Sequence, residues 1–210
     1  MPAYFSMAIH FELKRIEPDF VREIYSQIMS NGFGFKSGFW FHKDANLDEI
    51  IKWNQKLLEK GFKLGFTQHV KHDYIQILFL TNHYSELRGY WHYSDKEVTF
   101  SLIVPEGDIL NCEGGSFFLK DKVMPLKKLA IKLWEQGMVD AIQTNVELDE
   151  GAYGLSDILS GKGISANPYA ILSENAYEKF STDYFKQMTL NKIKNNGVII
   201  ETDGTLELNF

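Results

Sequence analysis

Cysteine occurs once in the 210-residue chain, at Cys112, so no disulfide can form within it. That scarcity suits a reducing compartment. Arginine is almost as rare, at Arg15, Arg22 and Arg88, in a chain of net charge −6 and pI about 5.5. Duplex nucleic acid needs a basic footprint that this composition does not offer. No apolar run approaches the roughly 18 residues that suggest a membrane span, and the first twenty residues hold no basic leader region. These absences predict a cytoplasmic protein without nucleic-acid or membrane partners. Between Leu133 and Gly161 there is neither lysine nor arginine.

What is present is an ordinary globular balance of 44% apolar and 24% charged residues. Sixteen Phe and ten Tyr favour a β-rich core, because large aromatics suit sheets and bury much area. The charge is unevenly placed. Residues 1–105 hold twelve basic and twelve acidic side chains, whereas 106–210 hold ten and sixteen. The chain therefore divides into a neutral half (1–105) carrying all six histidines, an irregular connection (106–122) and an acidic half (123–210). In the acidic half, Glu135, Asp140, Glu147, Asp149, Glu150 and Asp157 succeed one another without a basic residue. Such a stretch is either a solvated face or a docking surface for something basic.

Periodicity sets the expected elements. Met7, Ile9, Phe11 and Leu13 alternate with polar or small residues as in a half-buried strand. Pro18 opens a helix with Phe20, Ile24 and Ile28 as its stripe and Gly32 as its stop. Residues 33–42 read as an aromatic strand. Asn46 with Glu49 has capping-box spacing ahead of a helix to Gly61. Strands follow at about 63–70, 73–80, 87–93 and 97–104. Pro125 opens a third helix ending at Gly137. Ile142, Thr144, Val146 and Leu148 form one face of a strand, with Glu147 and Asp149 on the other. A glycine-punctuated loop then leads to a fourth helix capped by Ser173. Asn196-Gly197 and Asp203-Gly204 signal hairpin turns in a closing meander of strands at 188–194, 198–202 and 205–210. The fold class this implies is α+β: mostly antiparallel sheet, about four helices packed on one face, in one unit or two sub-domains.

No constellation is a complete catalytic signature. His69 and His72, with Asp73, could share a metal only across a turn, since three-apart residues on a strand face opposite ways. His83 and His92 lie downstream. Cys112 stands beside Glu113, whose charge works against a reactive thiolate. Gly161-Lys-Gly163 lacks the spacing of a phosphate loop and reads as turn glycines. Phe39-Trp40-Phe41 and Tyr90-Trp91-His92-Tyr93 put aromatics on both faces of their strands. Helices are the expected cover; left exposed, they would line a groove for a small molecule, a sugar or a partner. No cofactor is implied.

In its small acidic α+β build, rich aromatics and lack of a catalytic motif, the chain resembles bacterial immunity proteins, which neutralise toxins of competing cells. The resemblance implies a masking role and assigns no residue a part in it. The leading expectation is a non-catalytic binding protein that docks a basic protein partner on Asp140, Glu147, Asp149, Glu150 and Asp157, with Tyr153 as an aromatic anchor. The alternative is a metal-dependent or acid–base enzyme, or a small-ligand protein, built on the first half with His69, His72 or His92. A third reading is a structural subunit whose edge strands pair in an oligomer.

Overall fold

The computed structural model describes residues 3–61, 74–94, 96–111, 117–147 and 152–202. The expected strands at 63–70 and 205–210 lie outside these residues, as do His69, His72, Cys112, Asp149 and Glu150.

Alternation in β1 (Tyr4–Glu12) puts Phe5, Met7, Ile9 and Phe11 on one face, all fully buried. Helix α1 (Phe20–Ser30) buries Phe20, Ile24 and Ile28 as their spacing predicts, starting after Asp19, whose φ is 68°. Strand β2 (Gly34–Gly38) is shorter than the aromatic strand expected to His42. The chain turns back so closely that a Cβ on Gly38 would lie 2.2 Å from the His42 carbonyl oxygen, and Trp40–His42 form a 3-10 turn. Helix α2 (Leu47–Glu59) opens on the expected box: Glu49 N donates to Asn46 Oδ1 at 3.0 Å, and Asn46 N donates to Glu49 Oε2 at 2.8 Å.

Strands β3 (Ile77–Leu80), β4 (Arg88–Tyr93) and β5 (Glu97–Pro105) follow, and a two-strand ribbon, β6 (Leu110–Asn111) with β7 (Phe117–Phe118), lies in the expected irregular connection. Helix α3 (Lys120–Glu135) contains Pro125 rather than starting there. Lys122 N and Val123 N already donate to Leu119 O, and buried Val123 extends the stripe of Leu126, Ala130 and Leu133 by a turn. Strand β8 (Ala141–Val146) leads to α4 (Leu155–Leu159), which sits in the expected loop. Then come β9 (Tyr169–Ser173), α5 (Glu174–Tyr177), β10 (Met188–Ile193) and β11 (Gly197–Thr202). Ser173 caps α5 as expected, accepting from Ala176 N at 3.2 Å.

The fold is mixed α and β; among the described residues nine strands form one antiparallel sheet ordered β10-β11-β9-β8-β1-β5-β4-β3-β2. β1 lies between β5 and β8, so strands of both sequence halves share the sheet. The helices divide between its two faces. α1, α2 and α3 pack with Phe5, Met7, Ile9, Phe11, Trp91 and Phe100. α4 and α5 belong to a second cluster with Ala141, Ala170, Leu172, Val198 and Ile200. Register places that cluster on the opposite face: Ala141 is across from His10, Ala170 from Gln143, and Val198 from Leu172. Three long helices therefore share a face, and the two short ones cover the second half's other face. Among the described residues no helix is long and apolar enough to cross a membrane.

The buried polar groups of the larger core are paired. Asn54 Nδ2 donates to Ile75 O at 2.8 Å and to Tyr25 Oη at 3.0 Å, Asn54 Oδ1 accepts from Ile75 N at 2.9 Å, and Trp91 Nε1 donates to Tyr25 Oη at 2.9 Å. Burial raises the phenols of Tyr25, Tyr84 and Tyr169 above their usual value.

Because β1 serves both halves, Ile9→Ala should cost about 2–5 kcal/mol, with single-tryptophan variants retaining Trp91 or Trp134 reporting one coincident urea transition. Raised tyrosine pKa values set the alkaline limit. The stability these tyrosines contribute is fully present below about pH 10, where an unfolded tyrosine ionises, and is lost as pH climbs further. Absorbance at 295 nm should show these three tyrosines ionising together with loss of the far-ultraviolet circular dichroism signal; ionisation of all three in an intact fold would contradict their burial.

Candidate functional site

The face of the sheet not covered by α1–α3 is open over β1, β4, β5 and β8, where it forms a groove of about 640 Å³. Its cause is side-chain size. The two central strands present Ser6 and Ala8 from β1 and Thr99 and Ser101 from β5. The flanking strands present larger groups: Arg88, Tyr90 and His92 from β4, and Gln143, Asn145 and Glu147 at β8. The segment Ala152–Gly154 builds up the β8 wall. Tyr153 lies over Gly163, where a Cβ would fall 2.1 Å from the ring, so one of the turn glycines serves close approach.

One end of the groove is closed by a buried polar network. His10 Nδ1 is 2.7 Å from Glu97 Oε2, and His10 Nε2 is 2.7 Å from Gln143 Nε2. Gln143 Nε2 also donates to Tyr153 O at 2.7 Å, while its Oε1 accepts from Tyr153 N and Ser165 N at 3.2 and 3.3 Å. Glu97 Oε2 accepts a second bond from Leu155 N at 2.8 Å. Since Gln143 Nε2 is a donor, His10 Nε2 accepts and Nδ1 donates to Glu97. Both ring nitrogens are thus occupied, and the network ties β1, β5 and β8 to the start of α4.

At the other end stands Arg88, with its guanidinium carbon 4.9 Å from the Tyr4 ring centroid and 4.3 Å from that of Phe39. Its nearest carboxylate oxygen, Glu86 Oε1, is 3.8 Å from Nε, beyond hydrogen-bond reach. Arg88 Nε and Glu86 Oε1 are both buried atoms without a hydrogen bond, as is Gln76 Oε1, another residue lining the groove.

The expected partner-binding residues fall in different places. Asp140 pairs with Arg15 in a two-point contact, Nε–Oδ2 and Nη2–Oδ1 both 2.7 Å, and Oδ2 also accepts from Glu12 N at 2.8 Å. The carboxylate holds the Arg15 guanidinium above its usual pKa. Glu147 lies about 23 Å away along β8, at seven residues of strand rise. It is exposed on the groove face, as alternation predicts, and accepts from Tyr4 N at 3.1 Å. Tyr153 lines the groove. Asp157, in the first turn of α4, meets Lys162 Nζ at 3.0 Å. The structure thus brings Glu147 and Tyr153 to one wall, with Asp157 just beyond, and leaves Asp140 apart.

Among the histidines, His92 is exposed on the β4 wall. It lies in the same cross-strand row as His10 but two strands away, about 10 Å by strand spacing. His83 lies in the β3–β4 connection. Among the described residues no three His, Cys, Asp or Glu gather as a metal site would require. The aromatic runs divide. Trp91 is fully buried under the helices, whereas Trp40 and Phe41 stack at 5.3 Å and are 71% and 68% exposed. Helical cover fails there because β2 ends at Gly38 and alternation stops with it. Sequence reading missed His10, Glu97 and Gln143 as a unit: they are 87 and 133 residues apart from His10, and only β-register brings them together.

No protein-family model matches the chain, and neither does any curated protein. Among solved structures it is similar to the Pseudomonas aeruginosa T6SS protein PA0821, at 7% identity and a TM-score of 0.42, over 95% of this chain and 68% of that one. No residue role passes between chains at that level.

Gln143→Leu would strip hydrogen bonds from His10, Tyr153 and Ser165 at once. It should lower stability by about 2–4 kcal/mol and speed amide exchange at Tyr153 and Ser165, read by urea unfolding and by hydrogen exchange. Unchanged exchange at both amides would contradict the network.

Proposed function

We propose that this is a non-catalytic binding protein, immunity-like in role, that masks a basic protein partner on the acidic wall of the groove. The observation that supports this is where the acidic stretch runs. Glu147 stands at one end of the β8 wall, Ala152, Tyr153 and Gly154 form its upper part, and Asp157 follows in α4. Asp149 and Glu150, the other two expected docking residues, lie in sequence between these points. Asp140 has a different task in this reading, holding Arg15 and the end of β1. Complementary charge chiefly speeds association, and Tyr153 supplies an aromatic anchor at the wall.

A second reading draws support from the groove's size, which is in the range of small-ligand sites, and from Tyr90 and His92 on its β4 wall. Acid–base chemistry through His10 is disfavoured, because Glu97 and Gln143 occupy both ring nitrogens.

The test is capture from native lysate at low and high salt, followed by kinetics with the captured protein. A basic protein in stoichiometric amount, released by salt, is expected. Asp149→Lys with Glu150→Lys should slow its association by about tenfold or more without changing thermal unfolding. An unchanged association rate would overturn the docking role; a co-purified small molecule and no protein would favour the ligand reading.

A further inference from the structure

We infer that His10, Glu97 and Gln143 form a proton-operated latch on the groove wall, closed while the His10 ring is neutral and open once that ring takes a second proton. It rests on the masking role above only in its consequence, that acid loosens the surface meeting the partner.

The Gln143 amide can point only one way. Its Oε1 accepts from the backbone N–H groups of Tyr153 and Ser165, and its Nε2 donates to Tyr153 O. A flipped amide would set donor against donor at two of these contacts and acceptor against acceptor at the third. With the amide so fixed, its other N–H meets His10 Nε2 at 2.7 Å, and that nitrogen must offer a lone pair. Glu97 Oε2, 2.7 Å from Nδ1, makes the opposite demand, because a carboxylate favours a charged imidazolium. The two neighbours of one buried ring therefore call for different protonation states.

A proton on Nε2 would set N–H against N–H at the Gln143 contact. The ring would keep Glu97 as an ion pair, and Gln143 would have to turn away. Turning breaks both of its bonds to the Tyr153 backbone and the one to Ser165 N. Those bonds tie the Ala152–Gly154 wall to β8, whereas Leu155 N stays on Glu97. His10 lines the groove, so water there supplies the proton.

The other polar groups around the ring have their own places. From β5 the ring also faces Thr99 Oγ1, 3.5 Å from Nδ1. On β1, Glu12 pairs with Lys14; Asp140, whose N–H donates to His10 O, pairs with Arg15. On α4, Asp157 pairs with Lys162. The Tyr153 ring lies over Gly163, with its phenol beside that of Tyr184. His92 is two strands away, and Arg88 and Glu147 stand at the groove's other end. Imidazole ordinarily changes charge between about pH 5 and 8, which sets the range to search.

Hydrogen exchange of the full chain from pH 8 to 5, expressed as protection corrected for the intrinsic pH dependence of exchange, tests the latch. Protection of the Tyr153 and Ser165 amides should fall by about tenfold or more on acidification, as expected for a lost hydrogen bond, while the β1 amides stay protected. The fall should persist in His92→Gln and vanish in His10→Gln, whose side chain accepts hydrogen bonds but takes no proton. Glu97→Gln removes the anion yet still accepts from Nδ1, so it should move the fall to lower pH. If His10→Gln does not fold, Glu97→Gln decides. Constant protection in the wild type, a fall that survives in His10→Gln, or an unmoved midpoint in Glu97→Gln overturns the inference. Failure of the masking role shows separately, as an unchanged association rate in the Asp149 and Glu150 double variant whatever the amides do.

Discussion

Strand β1 is paired along its whole length with β5 and over most of it with β8, and everything else in the molecule takes its position from that double engagement. A strand has two faces and a period of two, so one register decides both. Phe5, Met7, Ile9 and Phe11 enter the core under α1 and α3, while Ser6, Ala8 and His10 become the floor and end of the groove. A slip of one residue would exchange the faces, pushing four large apolar groups into water. Core and groove are therefore consequences of one pairing.

The second constraint is uneven cover. On the groove face, α4, α5 and the segments around them bury the apolar residues of β8, β9 and β11. The cover stops at Tyr153 and Gly154, where the chain meets the sheet's polar side chains. The His10, Glu97 and Gln143 network sits at that boundary and satisfies the backbone groups of Tyr153, Leu155 and Ser165. A half-satisfied network would be costly at such depth; a complete one fixes the wall. The groove is thus built on a sheet with its supporting bonds in place.

Two acidic residues that succeed one another in the basic-free stretch have separate fates. Asp140 and Glu147 bracket the same strand, yet Asp140 is shielded beside Arg15 and Glu147 stands in the open. Their difference arises from position along β8: one end reaches the turn where β1 closes and the other reaches the groove's rim. Charge of the same sign therefore anchors the fold at one end and stays exposed at the other.

Short stretches of sequence were enough for the strand character of β1, the stripe of α1, the capping box of α2, the Ser173 cap and a hairpin near Asn196, although its left-handed residues are Asn195 and Asn196 and Gly197 already belongs to β11. Each depends on residues a few positions apart, which local sterics and local hydrogen bonds govern. Its reading faltered where local rules compete with distant ones. Tyr169–Ser173 has no alternation because both faces of β9 are covered, and α3 begins a turn before Pro125 because Val123 extends its buried stripe. Strand pairing across the whole chain was needed to show that both halves share a sheet, that the helices divide between its faces, and that His10 meets residues 87 and 133 positions away. Those outcomes follow from strand order and register, which depend on free-energy differences summed over the whole sheet. No short window of sequence contains that sum.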